Sequence, residues 1–264
     1  MHAFKYHRPS SLNDAAALAA KGEAKLLAGG QTLVQTMKLR LASPSDVVDL
    51  GALKDLAGIK SDGKSMTIGA MTRHAAVASS AEVKKAIPAL AALAGMIGDR
   101  QVREMGTLGG SIANNDPAAD YPAALLGLGA TILTNKGKHE ADKFFKGLFE
   151  TALGKGEIIT GVSFPVPKRA AYMKFKNQAS RFAIVGVFVA DFGGSVRVAV
   201  TGAGPGVFRQ ADMEKALAAK FDPSSVANVK QKQDGLNSDL HASAEYRAHL
   251  VTVMARRAVE AAMK

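Results

Sequence analysis

Short apolar runs separated by polar and glycine-containing turns give the first 54 residues an alternating helix and strand pattern. Ser11 is of the type that caps helix N-termini and stands directly before the first helical pattern. The predicted elements are a helix at 13–20, a strand at 25–27, a helix at 32–39 and a strand at 46–50. This order predicts a compact α/β unit.

The pattern continues to residue 165 with shorter elements and a glycine-rich stretch at Gly106–Ser111. Pro88 suits the first turn of a helix, and Thr72 can cap a helical turn. The predicted elements are a strand at 66–68, helices at 89–96 and 121–126, a strand at 131–134, a turn at 154–156 and a strand at 157–164. They predict a second unit that ends near the prolines Pro165 and Pro167.

The last hundred residues change character, because three β-rich runs come before two long helical patterns. The predicted elements are strands at 171–176, 183–192 and 196–201, a hairpin turn at Gly193–Gly194, and helices at 210–219 and 244–263. Strands followed by helices favour a separate α+β domain. We therefore predict one domain at 1–168, with subdomains at about 1–54 and 55–168, and a second domain at 169–264.

The absence of cysteine narrows the possible chemistry. It excludes disulfides, zinc–thiolate sites and Cys-ligated iron–sulfur clusters in this chain. The six histidines show no close spacing that suggests a metal site. Redox chemistry would therefore need an organic cofactor here, with any metal centre on a partner chain.

The net charge of +11 has two interpretations. It can be an ordinary solvated surface, or a field that helps to hold an anionic cofactor or an acidic partner subunit. Nucleic-acid binding is not favoured, because the basic residues are scattered and aromatic residues make up only 6% of the chain. No apolar run is long enough to span a membrane and no secretory signal is evident, so we expect a cytoplasmic protein.

Two glycine-rich segments could carry the function. The first, Leu27–Thr32, leaves a predicted strand and opens a predicted helix, where exposed N–H groups can bind a diphosphate. The second, Thr107–Ser111, adds two hydroxyl groups and is followed by Asn114, Asn115 and Asp120. Each alone could be an ordinary turn or a polar surface loop, but their pairing in one chain favours a cofactor site.

Other features are less specific. Lys174 and Lys176 lie on a predicted strand, where a lysine is usually solvated but could contact a cofactor. Arg73 and His74 are interpreted as surface or supporting residues, and Asp99–Arg103 as a solvated helix end or a partner-facing segment. The Rossmann and P-loop glycine spacings are absent, as are a nucleophile elbow, a zinc-protease motif and a recognisable pair of glycosidase carboxylates.

Taken together, these segments resemble the FAD-binding medium subunit of the molybdenum hydroxylases, the family of xanthine dehydrogenase and aerobic carbon monoxide dehydrogenase. The resemblance covers essentially the whole chain. It is carried by FKYHRP at 4–9, LLAGGQT at 26–32, IGAMTRH at 68–74, RQVR at 100–103, TLGGS at 107–111, PAAD at 117–120, EII at 157–159 and FAIVGV at 182–187. No single segment is specific, but the combination is.

The resemblance implies an α+β fold in which two α/β subdomains of the PCMH type clasp FAD. A C-terminal three-stranded antiparallel sheet with helices follows. The flavin contacts that it implies around the diphosphate are Leu27, Ala28, Gly29, Gly30, Gln31, Thr32 and Leu33. Thr107, Gly110 and Ser111 would contact the phosphate and ribityl region, and Asp120 the adenosine end. Ile159 would be an apolar contact, and Lys176, with Lys174 as the alternative, would lie near the flavin.

The resemblance also implies non-covalent FAD, since no histidine for covalent attachment is found. Partner subunits would supply a molybdopterin centre on a large subunit and two [2Fe-2S] clusters on a small one, in an expected dimer of heterotrimers. One departure is that Gln31-Thr32 replaces the His-Ser of many family members, although both residues remain polar.

Two other functions stay open at this point. One is a stand-alone FAD-dependent oxidoreductase with its own substrate site, for which the sequence offers no obvious acid or base. The other is a non-enzymatic binding module in which the glycine segments are mere turns. Neither the reducing substrate nor the electron acceptor is identified by the sequence.

Overall fold

The computed structural model describes the whole chain, residues 1–264. The strands are β1 (Lys5–His7), β2 (Lys25–Leu27), β3 (Asp46–Asp49), β4 (Ile59–Ser61), β5 (Ser65–Gly69), β6 (Thr131–Thr134), β7 (Lys138–Glu140), β8 (Phe145–Gly147), β9 (Glu150–Thr151), β10 (Ile159–Pro165), β11 (Arg169–Lys176), β12 (Ala183–Asp191), β13 (Val196–Thr201) and β14 (Phe208–Arg209).

The helices are α1 (Leu12–Ala19), α2 (Leu33–Lys38), α3 (His74–Ser79), α4 (Ala81–Ala86), α5 (Pro88–Gly95), α6 (Arg100–Met105), α7 (Leu108–Asn114), α8 (Tyr121–Leu128), α9 (Ala141–Phe144), α10 (Ala211–Ala219), α11 (Pro223–Ala227) and α12 (Ala244–Ala262). None of them is long and apolar enough to cross a membrane.

The N-terminal unit is a three-stranded parallel sheet in the order β1-β3-β2. Helix α1 begins as predicted, because the Ser11 hydroxyl accepts a hydrogen bond from the Asp14 N–H at 3.1 Å. Ala15 of this helix packs with Val48 of the central strand. Strand β2 ends at Leu27, so the first glycine segment leaves the carboxyl edge of this small sheet.

The middle unit is a five-stranded antiparallel sheet in the order β4-β5-β10-β6-β7. Helices α5 and α8 are apolar nearly all round, and both are buried in the largest core cluster of the protein. Pro88 occupies the first turn of α5 as the sequence predicts. The second glycine segment lies along the chain between these two buried helices.

The C-terminal unit is an antiparallel sheet in the order β11-β12-β13-β14, with α12 packed on one face. The resemblance implies three strands; a two-residue fourth strand, Phe208–Arg209, extends the sheet at its β13 edge. The chain therefore has the expected α+β fold, with two subdomains followed by an antiparallel sheet and helices. Core residues Tyr172 and Phe188 of this sheet pack into the middle unit's core, so the two units share apolar surface.

Three local predictions were wrong or incomplete. Thr72 does not cap a helix; its hydroxyl donates to the Gly58 carbonyl and accepts from the Gly58 N–H, which fixes a turn instead. Residues 99–103, interpreted as a solvated helix end or a partner-facing segment, form the start of α6, whose N-cap is Asp99. The stretch 107–111, predicted as a loop, is the first turn of α7 with Thr107 as its N-cap.

Candidate functional site

The two glycine segments lie against each other, although they are far apart in sequence. A β-carbon placed on Gly29 would be 2.1 Å from the Met105 carbonyl oxygen and 2.7 Å from the Gly106 α-carbon. A β-carbon on Gly110 would be 3.4 Å from the Ala28 β-carbon. At Gly29 such close backbone approach is possible only without a side chain. The structure thus brings together the two segments that were paired from the sequence.

The first segment presents a row of free donors. None of the backbone N–H groups from Gly29 to Thr32 donates a hydrogen bond to another protein atom. Gly30 has a φ of 72°, in the left-handed region that glycine adopts at little cost. The segment then enters α2, so these N–H groups lie at a helix start, where an anion is favoured.

In the second segment, by contrast, the N–H groups from Leu108 to Ser111 already donate within the protein. Those of Leu108 and Gly109 donate to the carbonyls of Thr72 and Ala70, at 3.0 and 2.8 Å. The Gly110 N–H donates to the Thr107 hydroxyl at 3.2 Å. The second segment can therefore offer a ligand its small size and side-chain hydroxyls, whereas the first offers its backbone.

Some side-chain donors at the site are already used within the protein, and others are free. The Gln31 amide is occupied, since its Nε2 donates to the Gly29 carbonyl at 3.2 Å. The hydroxyls of Thr32 and Ser111 form no hydrogen bond within the protein, and neither residue is buried. These two hydroxyls remain available to a bound group.

The segment that follows α7 is held by the C-terminal sheet. The Thr201 hydroxyl donates to the carbonyls of Pro117 and Ala119, at 3.0 and 2.6 Å. The Ala183 N–H donates to the Ala118 carbonyl at 3.4 Å, and Lys176 is the cross-strand partner of Ala183. Lys176 is exposed at the end of β11, close to this segment.

Asp120 lies in a buried ion pair. Its Oδ2 accepts from Lys174 Nζ at 2.9 Å and its Oδ1 from the Tyr172 hydroxyl at 2.5 Å. The side chains of Lys174 and Asp120 are 2% and 5% exposed, so Lys174 is not the solvated lysine that is usual on a strand. Burial raises the pKa of Asp120, while Lys174 and Tyr172 oppose that shift by stabilising the carboxylate.

Ile159 is buried at the start of β10. The next residue, Thr160, is joined by hydrogen bonds through Ala70 to the second glycine segment. The Thr160 carbonyl accepts from the Ala70 N–H at 3.0 Å, and the Ala70 carbonyl accepts from Gly109. The structure therefore connects Ile159, through β10 and the turn after β5, to the same site.

His74 and Arg73 were interpreted from the sequence as surface or supporting residues. Arg73 is exposed, but His74 is only 4% exposed, and its ring lies 5.3 Å from that of Tyr121. A β-carbon on Gly106 would be 2.6 Å from His74 Nε2, so the imidazole packs under the backbone that meets Gly29. Burial, with a smaller effect of Arg103, lowers the pKa of His74 to about 4, which keeps the ring neutral at pH 7.

His74 Nδ1 and the Tyr121 hydroxyl are buried without a hydrogen-bond partner. Sequence reasoning missed this pair, because the only local signal was a histidine at the start of a short helix. No group of three or more histidine, aspartate or glutamate side chains is arranged to hold a metal ion.

The residues present fit a dinucleotide. A diphosphate is an anion that accepts several hydrogen bonds, and the free N–H row of Gly29–Thr32 supplies donors at a helix start. The apposed glycines leave backbone without side chains on both walls, and the Thr32 and Ser111 hydroxyls add donors. Hydrolysis chemistry has no matching nucleophile here, so the arrangement suits binding and orientation of a cofactor.

Comparison with protein-family models gives two matches. Residues 2–167 match a model described as the FAD binding domain in molybdopterin dehydrogenase. Residues 170–262 match a model described as the CO dehydrogenase flavoprotein C-terminal domain.

Similar proteins of known activity cover nearly the full chain. The nicotine 6-hydroxylase medium subunit of Paenarthrobacter nicotinovorans is 36% identical over 272 residues, which covers 97% of this chain and 96% of that protein. The carbon monoxide dehydrogenase medium chain of Afipia carboxidovorans is 36% identical and covers 98% and 96%. A solved structure of reconstituted CO dehydrogenase from Oligotropha carboxidovorans aligns with a TM-score of 0.89, at 34% identity, over 99% of this chain and 98% of that one.

Proposed function

Because this chain belongs to the family of FAD-binding medium subunits of molybdenum hydroxylases, we propose that it relays electrons through FAD inside a larger oxidoreductase. Electrons would arrive from [2Fe-2S] clusters of a partner subunit and leave to an external acceptor. The observation that carries the proposal is the free N–H row of Gly29–Thr32, held against the second glycine segment. The chain has no cysteine to hold a cluster of its own.

In this proposal the backbone of Leu27–Leu33 holds the diphosphate, with Ala28, Gly29, Gly30, Gln31 and Thr32 as its central residues. Gln31 keeps its side chain on the Gly29 carbonyl and so shapes the turn, which explains how the departure from His-Ser is tolerated. Within Leu27–Leu33, Thr32 is the residue with a free hydroxyl. FAD, when bound, supplies the ability to take up and pass on electrons, and the protein binds and orients it.

The second segment contributes differently. Thr107 shapes the turn by accepting from the Gly110 N–H, while Gly110 leaves room and Ser111 offers a hydroxyl. We assign these three residues to the phosphate and ribityl region. Ile159 is proposed as an apolar contact and Lys176 as the lysine near the flavin, since Lys174 is already engaged with Asp120.

Asp120 is proposed at the adenosine end. Both of its oxygens have protein partners, so a contact with the cofactor would use a remaining lone pair. Lys174 and Tyr172 then act as positioning residues for this carboxylate. The domain division at 168/169 also remains a proposal, as does the subdomain division near residue 54.

The partners we propose are a large molybdopterin subunit and a small [2Fe-2S] subunit, assembled as a dimer of heterotrimers. The medium-subunit names of the relatives support separate partner chains for this family. We propose no nucleic-acid partner. The reducing substrate would be selected by the large subunit, so the present chain does not identify it.

The test is the composition of the protein isolated from its source under gentle conditions through a tag on this chain. We expect a yellow complex with one FAD per chain, molybdenum, and about four irons per flavin from two [2Fe-2S] clusters. FAD released by acid precipitation would establish non-covalent binding. A protein without flavin contradicts the proposal, and a flavin-containing monomer that turns over substrate without iron or molybdenum supports the stand-alone oxidoreductase.

A further inference from the structure

One buried polar side chain beside the two glycine segments, that of His74, lacks a partner at one ring nitrogen. The residue is 4% exposed, and its Nδ1 forms no hydrogen bond with the rest of the protein. A buried polar atom without a partner destabilises a fold, and an apolar side chain at this position would avoid that cost. Local conflicts of this kind occur mainly at functional or strained sites, so we expect a role for His74 beyond packing.

The imidazole lies directly against Gly106. A β-carbon placed on Gly106 would be 2.6 Å from His74 Nε2 and 2.8 Å from its Cδ2, which is closer than real β-carbons come to other atoms. The edge of the ring therefore contacts the Gly106 backbone, and a side chain at position 106 does not fit while the ring stays in place. The two residues fix each other's position, as close-packed neighbours in a protein interior do.

Gly106 is also held by its own backbone groups. Its N–H donates to the Val102 carbonyl at 2.7 Å, and its carbonyl accepts from the His74 N–H at 3.0 Å. These bonds involve main-chain atoms alone, so they can form with any side chain at position 74. A substitution of His74 therefore removes the ring contact and leaves the hydrogen bonds of Gly106 in place.

The first glycine segment contacts the same residue. A β-carbon on Gly29 would be 2.7 Å from the Gly106 α-carbon, so Gly29 and the His74 ring both pack against Gly106. Gly29 begins the row of free N–H groups. Because contacting residues are energetically coupled, a displacement of Gly106 must alter its contact with Gly29 and the placement of those donors.

The shape of the imidazole suits this position. The ring is flat and short, and the fully buried Tyr121 ring packs beside it, with centroids 5.3 Å apart and planes tilted by 49°. A smaller side chain would leave a cavity next to Gly106, and a larger ring would displace it. We propose that His74 is a positioning residue of the flavin site, whose ring fixes Gly106 and thereby the free N–H row that begins at Gly29; this inference rests on the proposed function.

The test exchanges volume between the ring and Gly106. His74→Ala and Gly106→Ala are made singly and together in the complex isolated through a tag on this chain, which is stripped of flavin and titrated with FAD. We expect each single variant to raise the dissociation constant for FAD about tenfold, within the range of coupling between contacting residues. The combined variant should return to within about threefold of the wild type, because the methyl group at position 106 fills part of the space that the ring leaves.

Two further measurements separate positioning from a general effect on folding. In the Gly29→Ala background, where the contact with Gly106 is already disturbed, His74→Ala should change the dissociation constant for FAD by less than about twofold, whereas independent effects would add. At saturating FAD, the partner clusters should reduce the flavin at the wild-type rate, because the ring acts on the backbone that holds the cofactor. Tyr121→Phe is the matched control, since it keeps a buried ring and removes a hydroxyl that has no partner, and it should bind FAD as tightly as the wild type.

Unchanged FAD affinity in folded His74→Ala overturns the inference, as does an additive loss in the Gly29→Ala background. If a single variant does not fold, the combined variant still decides the question. A combined variant that binds FAD as weakly as the single variants, or that does not fold, overturns the inference, because the two changes would then not compensate. In these outcomes the unmodified complex still binds FAD and the proposed function stands, whereas an unmodified complex that binds no FAD overturns both.

Discussion

Replacing Gly29 by alanine tests whether the apposition of the two glycine segments creates the flavin site. The added β-carbon would lie 2.1 Å from the Met105 carbonyl oxygen, 2.7 Å from the Gly106 α-carbon and 2.8 Å from the Met105 carbonyl carbon. All three atoms belong to the backbone, so no flexible side chain can yield. The two segments must move apart, which disturbs the free N–H row.

The free-energy cost of Gly29→Ala follows from overpacking. Forcing a methyl group into a filled site typically costs about 1–3 kcal/mol. If that energy must be supplied again each time FAD draws the segments together, the dissociation constant for FAD rises about 5- to 140-fold, at 1.4 kcal/mol per factor of ten. Gly194→Ala is the control, since its β-carbon would meet nothing within 4 Å.

The assay is titration of the flavin-stripped complex with FAD, followed by recovery of flavin absorbance and quenching of flavin fluorescence. Thermal melting without FAD measures the cost to the fold separately. An unchanged FAD affinity in Gly29→Ala, together with a lowered melting temperature, would refute the reasoning, because the apposition would then serve folding alone. Loss of affinity in Gly194→Ala to the same extent would also contradict it.

Three further predictions concern single side chains. Ser111→Ala and Thr32→Ala each remove a free hydroxyl, and if that hydroxyl bonds a phosphate, FAD affinity should fall about tenfold for a loss of about 1.5 kcal/mol, with the melting temperature unchanged. Lys174→Met leaves the Asp120 carboxylate buried without its cation and should cost about 3–5 kcal/mol in chemical denaturation, whereas adding Asp120→Asn should restore part of the loss. The pKa of His74 is lowered from 6.5 to about 4, so on acidification the unfolded chain binds a proton at this residue before the folded chain does. The free energy of unfolding should therefore fall as the pH drops from 6.5 to 4, by up to about 3 kcal/mol. His74→Gln should remove most of this pH dependence, measured by urea titrations at stepped pH.

The sequence predicted much of the fold where the determining interactions are local. The cap at Ser11 and the strand at Lys25–Leu27 follow from residues within a few positions of each other, and both are observed. Thr107–Ser111 was interpreted as a polar surface loop or part of a cofactor site, yet the Thr107 cap and the N–H bonds to the carbonyls of Ala70 and Thr72 make it a helix start.

The site was only partly predictable, because its geometry depends on long-range contacts. The sequence paired the glycine segments and assigned backbone donors to the first and hydroxyl donors to the second, but only the structure shows that the Leu108 and Gly109 N–H groups donate to the carbonyls of Thr72 and Ala70. The burial of His74 under Gly106, and of Lys174 beside Asp120, arises from packing between units that no local pattern encodes.

The central claim is that this chain holds FAD and receives its electrons from a partner's iron–sulfur clusters. The most direct measurement reduces the flavin-stripped complex anaerobically, mixes it with FAD-loaded chain or FAD, and follows the visible bands of flavin and clusters by stopped flow. The account predicts that the flavin bands bleach while the cluster bands recover, in the wild type but much less in Gly29→Ala. Flavin that stays oxidised beside fully reduced clusters in the assembled complex would contradict it.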